Sequence, residues 1–176
     1  LSKLSAKEQV TYRLFKYERQ TEAKSYQQFD QFYPMNIYSG FHSYFAGAPA
    51  NMSFLTVKDY ENYLISLADF PRYNQEHIDN LTEAVAQGHT HYCESFKNFD
   101  KSISKHIVND VNKSLFYQPL MNMPSKIPAS DIASYQSKAA ELITKKVIPE
   151  YQKFYDFFTQ EYMTNCRETV GISPLK

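Results

Sequence analysis

The stretch of sequence that decides the fold is residues 56–88, TVKDYENYLISLADFPRYNQEHIDNLTEAVAQG. Thr56, with an acidic residue three positions later, has the pattern of a helix N-cap in a capping box. Apolar residues then recur every three or four positions, which is the period of an amphipathic helix. Gly88 stands where a glycine commonly ends a helix. Pro71 either ends one helix or opens the next at its first turn, so the stretch predicts helices over 56–69 and 71–87.

The same signals recur on both sides of this stretch. Ser5 begins a second capping box, S-A-K-E, ahead of a helix over 5–29. Apolar residues in helical phase predict a shorter helix over 94–109 and a long one over 129–167. We expect Pro149 to kink the long helix, because proline removes a helical hydrogen bond.

Two long segments lack a clear helical period. Residues 31–55 are rich in aromatic side chains, and residues 110–128 contain three of the eight prolines. Long irregular segments inside a compact domain are uncommon, and those that occur are often functional. We therefore expect two ordered loops, within an all-α unit of about five helices that spans residues 1–176.

Composition narrows the class of protein. The chain has 176 residues, enough for one domain with its own core, and its 19 Lys+Arg balance its 19 Asp+Glu. A chain with this balance lacks the excess of positive charge that is typical of proteins that bind nucleic acid or an anionic membrane. No apolar run approaches the roughly 20 residues of a membrane span, and no signal peptide is visible in the opening LSKLSAKEQ. We expect no nucleic-acid partner and no transmembrane segment in this chain.

Metal-ligand residue types crowd together only in GHTHYCE, residues 88–94. His89, His91 and Cys93 are weak candidates for zinc ligands, since imidazole and thiolate both bind zinc. Their spacing of two residues aligns side chains only on an extended segment, and further ligands are missing. A polar turn that follows the helix is the favoured interpretation. Cys93 and Cys166 leave two alternatives open, one bridge or two free thiols.

Catalytic motifs are absent from the chain. The helical zinc motif HExxH, the G-x-S-x-G elbow and the phosphate-binding glycine loops do not occur. Cys93 lacks the cationic surroundings that would make it a thiol nucleophile. We therefore expect no catalytic residue, no metal ligand and no cofactor in these 176 residues.

The order of local motifs is more specific than any one of them. The chain runs through LSAKEQVTYRLFKYE, FYPMNIYSGFHS, the stretch from Phe54 to Gly88, SLFYQPLMNMPSKIPAS and VIPEYQKFYDFFTQEYMTNCRETVGISPL. This series resembles, essentially end to end, the N-terminal part of the domain-of-unknown-function 885 family. The segments TVKDYENYLISLADFP and YMTNCRETVGISPL carry the most specific likeness. Members of that family are bacterial, often exported and frequently lipoproteins.

The resemblance implies a function for a longer protein. Family members carry a downstream helical motif similar to that of HExxH zinc peptidases, so the complete protein would be a zinc-dependent peptidase-like hydrolase. Zinc is expected in that downstream part of the longer protein. The downstream part is also the expected partner of this unit, and this unit is expected to be inactive alone. The implied location is the periplasm or the outer membrane.

Within such a protein, this unit would form one wall of a peptide-binding cleft. The segment 33–54 is the candidate lining, because its Tyr and His side chains can hydrogen-bond peptide carbonyls. The candidate residues are Tyr33, Asn36, Tyr38, His42 and Tyr44. Core packing of the same segment is the competing interpretation. The alternative function is a non-enzymatic helical binding or scaffold module.

Overall fold

The computed structural model describes residues 2–171, and these residues form an all-α fold. The predicted fold class is confirmed. The α-helices are α1 (Ala6–Gln27), α2 (Phe41–Gly47), α3 (Val57–Gln87), α4 (Asp100–Ser104), α5 (Gln118–Met121), α6 (Ala129–Leu142) and α7 (Ile148–Phe157). Among residues 2–171, no helix has both the length and the apolar character that crossing a membrane requires.

Helix α1 begins where its capping box predicts. The backbone N–H of Glu8 donates to the Ser5 hydroxyl, and the Glu8 carboxylate accepts from the Ser5 backbone N–H at 2.8 Å. These reciprocal bonds satisfy two of the donors that a helix start leaves free. The helix ends at Gln27, close to the predicted end, but without a glycine. Phe29 instead adopts a left-handed conformation, with φ 66°.

Helix α3 corrects the prediction of two helices divided at Pro71. It is one continuous helix of 31 residues with Pro71 inside it. Proline in a helix interior costs roughly 3 kcal/mol. Burial of one face offsets this cost, because each large apolar side chain taken out of water contributes about 1.5–3 kcal/mol. The buried face carries Tyr60, Tyr63, Leu67, Phe70, Asn74, Ile78, Leu81 and Ala84.

The predicted helix over 94–109 is shorter than expected. The segment contains a 3₁₀ turn, Cys93–Phe96, and the short helix α4. Asn98 lies between them with φ 67°, a left-handed conformation that interrupts a right-handed helix. Three of the apolar residues that suggested a helix are nevertheless buried, namely Phe96, Phe99 and Ile103.

The predicted long helix over 129–167 is α6 and α7 joined by a π-helical turn, Ile143–Val147. Pro149 lacks the N–H that would bond the carbonyl of Lys145, and the turn lies at this point. A π-helical turn, in which the hydrogen bonds span five residues, therefore lies where the kink was predicted. A second π turn, Phe158–Tyr162, and a 3₁₀ turn, Met163–Asn165, end the segment slightly earlier than predicted.

Both predicted loops are ordered and contain short helices. Residues 31–55 include α2 and bury Met35, Phe41 and Ala46, while residues 110–128 include α5 and bury Phe116. One continuous apolar cluster joins these side chains to α3, α6 and α7.

Tyrosine hydroxyls connect the buried elements. The hydroxyl of Tyr63 donates to the carbonyl of Phe116, and that of Tyr151 donates to the carbonyl of His42, both at 2.7 Å. These bonds explain how a tyrosine-rich chain buries its rings without leaving hydroxyls unpaired at these positions.

Replacing Gly88 by alanine is expected to destabilise the fold by about 1 kcal/mol. Gly88 ends α3 with φ 75°, and a Cβ there would meet nothing within 4 Å. The cost therefore comes from the backbone conformation alone. Gly47→Ala is the matched control, because Gly47 also has open space but a helical φ of −83°. Chemical denaturation of both variants checks this; equal losses would contradict the conformational explanation.

Candidate functional site

The GHTHYCE segment lies where the end of α3 meets the end of the long helical segment. Gly88 turns the chain out of α3, and Tyr92 forms a parallel bridge with Arg167. The backbone N–H of Cys93 donates to the Arg167 carbonyl, and that of Arg167 donates to the His91 carbonyl, both at 2.9 Å. The Arg167 guanidinium Nε–H also donates to the Thr90 carbonyl. Backbone pairing therefore holds the segment extended around Tyr92, immediately before the 3₁₀ turn Cys93–Phe96.

A disulfide between Cys93 and Cys166 closes this junction, with 5.2 Å between the two Cα atoms. Of the two alternatives that the sequence left open, the structure contains the bridge. A disulfide sulfur is neither a thiolate ligand nor a nucleophile. Cys93 is therefore excluded as a metal ligand in this state.

His89 and His91 contact different neighbours. His89 is buried, its ring centroid lies 4.4 Å from that of Phe29, and its Nδ1 has no hydrogen-bond partner. His91 Nδ1 lies 2.5 Å from the Tyr162 hydroxyl, which also accepts the His91 backbone N–H at 3.2 Å. Burial, opposed by a hydrogen bond to the Met35 backbone and reinforced by nearby Arg167, lowers the pKa of His91 to about 4.

Residues 2–171 bring no three His, Cys, Asp or Glu side chains together in a way that could hold a metal ion. The zinc implied by the resemblance therefore has no ligand set in this part of the chain. The turn that GHTHYCE was predicted to form is polar in composition, but His89 and Thr90 are buried in it.

The five cleft candidates divide into an outer and an inner group. Asn36, Tyr38 and Tyr44 are exposed, and Tyr38 is 89% accessible. The Asn36 side-chain oxygen accepts the backbone N–H groups of Tyr38 and Ser39 at 2.9 and 3.1 Å, which fixes the turn. The Tyr44 hydroxyl accepts from Ser39 Oγ at 2.9 Å, so Tyr44 lies against the same turn.

The inner candidates are His42 and Tyr33. His42 is fully buried, and its Nε2 lies 2.9 Å from Ser102 Oγ and 3.0 Å from Ser43 Oγ. Burial, reinforced by His106 and Lys105, lowers the pKa of His42 to about 3. The Tyr33 hydroxyl is buried without a partner, and burial raises its pKa. These two side chains pack within the fold and are not presented to solvent with the outer group.

An apolar pocket of about 380 Å³ opens beside the same segment. Its walls come from the end of α2 and from the start of α5, and only one polar side chain, Gln118, lines it. The other lining residues are Ala46, Gly47, Pro49, Ala50, Phe54, Leu115 and Pro119. A second groove, with a larger volume of about 490 Å³ and mostly polar lining residues, lies between α3 and α7, with Ile78 and Phe157 among its lining residues.

Sequence reasoning missed the residues that assemble the junction. Arg167 and Tyr162 are distant in sequence from His91, and only the pairing of the two segments brings them together. The left-handed conformation of Phe29 could not be predicted from the sequence, because phenylalanine rarely adopts it.

The comparisons with known proteins give one result at the level of the family. No curated protein and no solved structure matches the chain. One family model does match, and it covers residues 1–174. The chain therefore belongs to the family described as bacterial protein of unknown function, DUF885.

Proposed function

We propose that this chain is the N-terminal, cleft-forming helical part of an exported, zinc-dependent peptidase-like hydrolase, and that it is inactive alone. The remainder of the protein would supply the zinc site and the catalytic groups. The residues described above would supply one wall of the cleft. Membership of the family supports the proposal, because the resemblance implies a downstream motif in family members that is similar to the motif of HExxH zinc peptidases.

The observation that carries the proposal is the apolar surface of α1. None of its 22 residues is buried. One exposed apolar stripe follows the helical spacing and consists of Val10, Leu14 and Tyr17. A second exposed stripe, Tyr12 and Phe15, lies on nearly the opposite side of the helix. The reason is that a step of two positions along the chain turns about 200° around the helix axis. A helix in a monomeric domain usually buries one such stripe. Two uncovered stripes fit a helix that packs between parts of a larger protein.

The segment 33–54 is the proposed substrate-facing surface of the wall. Buried Met35, Phe41 and His42 hold this segment to the core, while Tyr38 and Tyr44 point outward from it. The apolar pocket at its end has a volume that accepts an apolar side chain of a peptide. The tyrosine hydroxyls would donate hydrogen bonds to the peptide backbone.

The test is peptide hydrolysis by the complete protein and by this chain, measured with a fluorogenic peptide mixture. We expect activity from the complete protein, loss of it with a zinc chelator, and recovery when zinc is restored. This chain is expected to be inert under every condition. Activity of the complete protein that a chelator leaves unchanged, or no hydrolysis at all, would overturn the proposal.

The cleft assignment has its own variants in the complete protein. Tyr38→Ala and Tyr44→Ala are expected to raise KM severalfold and to leave kcat nearly unchanged, because they remove binding shared by substrate and transition state. Ile65→Ala is the matched control, since Ile65 is an exposed apolar residue on α3, outside the segment. Equal effects of all three changes would contradict a substrate-facing role for the segment.

A non-enzymatic binding module is the second candidate, and the core favours it. Residues 2–171 contain a continuous buried cluster and a disulfide, so they have the means to fold as a unit. In that case α1 would bind another protein. The hydrolysis experiment separates the two candidates, because only the first expects chelator-sensitive activity.

A further inference from the structure

The connection between α1 and the rest of the fold is short and conformationally unusual. Helix α1 has no buried residue, and the chain enters the core only at the 3₁₀ turn Asp30–Phe32, where Phe32 is buried. The direction in which α1 leaves the body therefore depends on Gln28 and Phe29, the two residues between the helix and the turn.

Phe29 occupies a backbone conformation that phenylalanine rarely adopts. Its φ of 66° and ψ of 24° are left-handed. Glycine usually fills the position just after a helix end, because a Cβ is unfavourable there. A bulky residue in this region is a strained outlier, and such strain persists only where the surroundings hold it.

The ring of Phe29 contacts two buried aromatic side chains, those of His89 and Phe32. It lies 4.4 Å from the ring of His89 and 5.7 Å from the ring of Phe32. Both neighbours are buried. His89 is itself fixed, because its backbone N–H donates to the Ala84 carbonyl of α3 at 2.8 Å. The Phe29 ring is thus attached to the C-terminal end of α3.

We propose that the contact between Phe29 and His89 is a conformational latch that sets the orientation of α1. While the two rings are in contact, with 4.4 Å between their centroids, Phe29 keeps its left-handed conformation and α1 leaves the body in one direction. When this contact is lost, Phe29 relaxes to negative φ, and α1 is released to take other directions. The latch holds the two apolar stripes of α1 in a fixed orientation relative to the body.

The local hydrogen bonds do not replace the latch. The Phe29 N–H donates to the Tyr26 carbonyl at 3.2 Å, and Ser25 Oγ lies 3.4 Å from Asp30 Oδ2. The first bond closes within the last turn of α1, and the second joins exposed side chains. Neither of them connects α1 to α3.

The experiment measures the distance between α1 and the body in this chain. Labels are attached through non-natural residues at positions 13 and 146, both exposed, so that the native disulfide stays intact. Pulsed electron spin resonance is expected to show one narrow distance maximum in the parent protein. His89→Ala and Phe29→Ala are each expected to lose it. Phe29→Asn should retain more of it than Phe29→Ala, since asparagine adopts left-handed backbone more readily.

Two matched controls are expected to keep the parent distance. His77→Ala removes another histidine in contact with a phenylalanine, since its ring centroid lies 4.2 Å from that of Phe41. Tyr26→Ala removes an exposed aromatic ring of α1 itself. A second label pair at positions 101 and 146 reports whether the body remains folded.

An unchanged α1 distance in Phe29→Ala overturns the proposal, and so does an equal change in the two controls. If His89→Ala changes the distance between the two labels within the body, Phe29→Ala decides the outcome, because Phe29 is only half-buried and is not one of the side chains of the apolar cluster. A broadened α1 distance with an unchanged body distance supports the latch.

Discussion

Breaking the Cys93–Cys166 disulfide is expected to lower the free energy of unfolding by about 4 kcal/mol. The two cysteines are 73 residues apart, and a covalent loop of that length removes about 4 kcal/mol of conformational freedom from the unfolded chain in the chain-entropy description. The expected loss is a large share of the roughly 5–15 kcal/mol that holds a typical domain folded. Urea denaturation with and without a dithiol reductant measures it directly.

The double variant Cys93→Ala with Cys166→Ala is the control for the reduced protein. Both should have the same denaturation midpoint, since both lack the cross-link. The hydrogen bonds between Thr90 and Asn165 and between Cys93 and Arg167 remain available to them. A midpoint that matches that of the oxidised protein would show that the bridge adds no stability.

Acidification is expected to destabilise the protein by an amount on the order of 5 kcal/mol between pH 7 and pH 5. Burial is the main cause that lowers the pKa of His42 to about 3 and those of His91 and His106 to about 4, whereas an imidazole in the unfolded chain titrates near 6.5. Below pH 6.5 the unfolded chain therefore binds protons that the folded chain does not. Stability is fully present above pH 6.5 and falls as the pH decreases toward 4.

The slope of stability against pH identifies the groups. Each such histidine contributes at most about 1.4 kcal/mol per pH unit, a slope reached near pH 5 where the unfolded imidazole is almost fully protonated, so the three give roughly 4 kcal/mol per unit there. His106→Phe should reduce the slope near pH 5 by about 1.4 kcal/mol per pH unit, the share of one histidine, because His106 packs among the rings of Phe116 and Tyr151 and a phenyl ring does not titrate. His42, His91 and His77, whose pKa burial also lowers, keep their shares. Denaturation series from pH 5 to pH 8 check this; an unchanged slope would show that His106 is not one of the groups.

The parts of the fold that follow from neighbouring residues could be predicted. The capping boxes at Ser5 and Thr56 and the end of α3 at Gly88 involve groups within a few positions of one another. Pro71 failed as a boundary because its local penalty competes with burial along the whole face of α3. That burial depends on α6 and α7, which lie far away in sequence.

The candidate site was predictable only in part, for the same reason. Tyr38 and His42 are four residues apart, yet one is exposed and the other fully buried. The turn at Asn36 directs the first outward, and the start of α2 directs the second into the core. The pairing of Cys93 with Cys166 depends on the parallel bridge beside it, which local sequence does not encode.

The disulfide also divides the chain into a closed covalent ring and segments that lie outside the ring. Residues 93–166 form a closed covalent ring that contains α4, α5, α6 and α7, while α1, α2 and α3 form a tail outside it. A single cut of the backbone within the ring opens it but leaves the two pieces covalently joined. A cut in the tail releases a separate peptide. Cleavage of the backbone between residues 93 and 166 therefore leaves one covalent molecule, whereas one cut after the exposed first helix separates that helix from the rest.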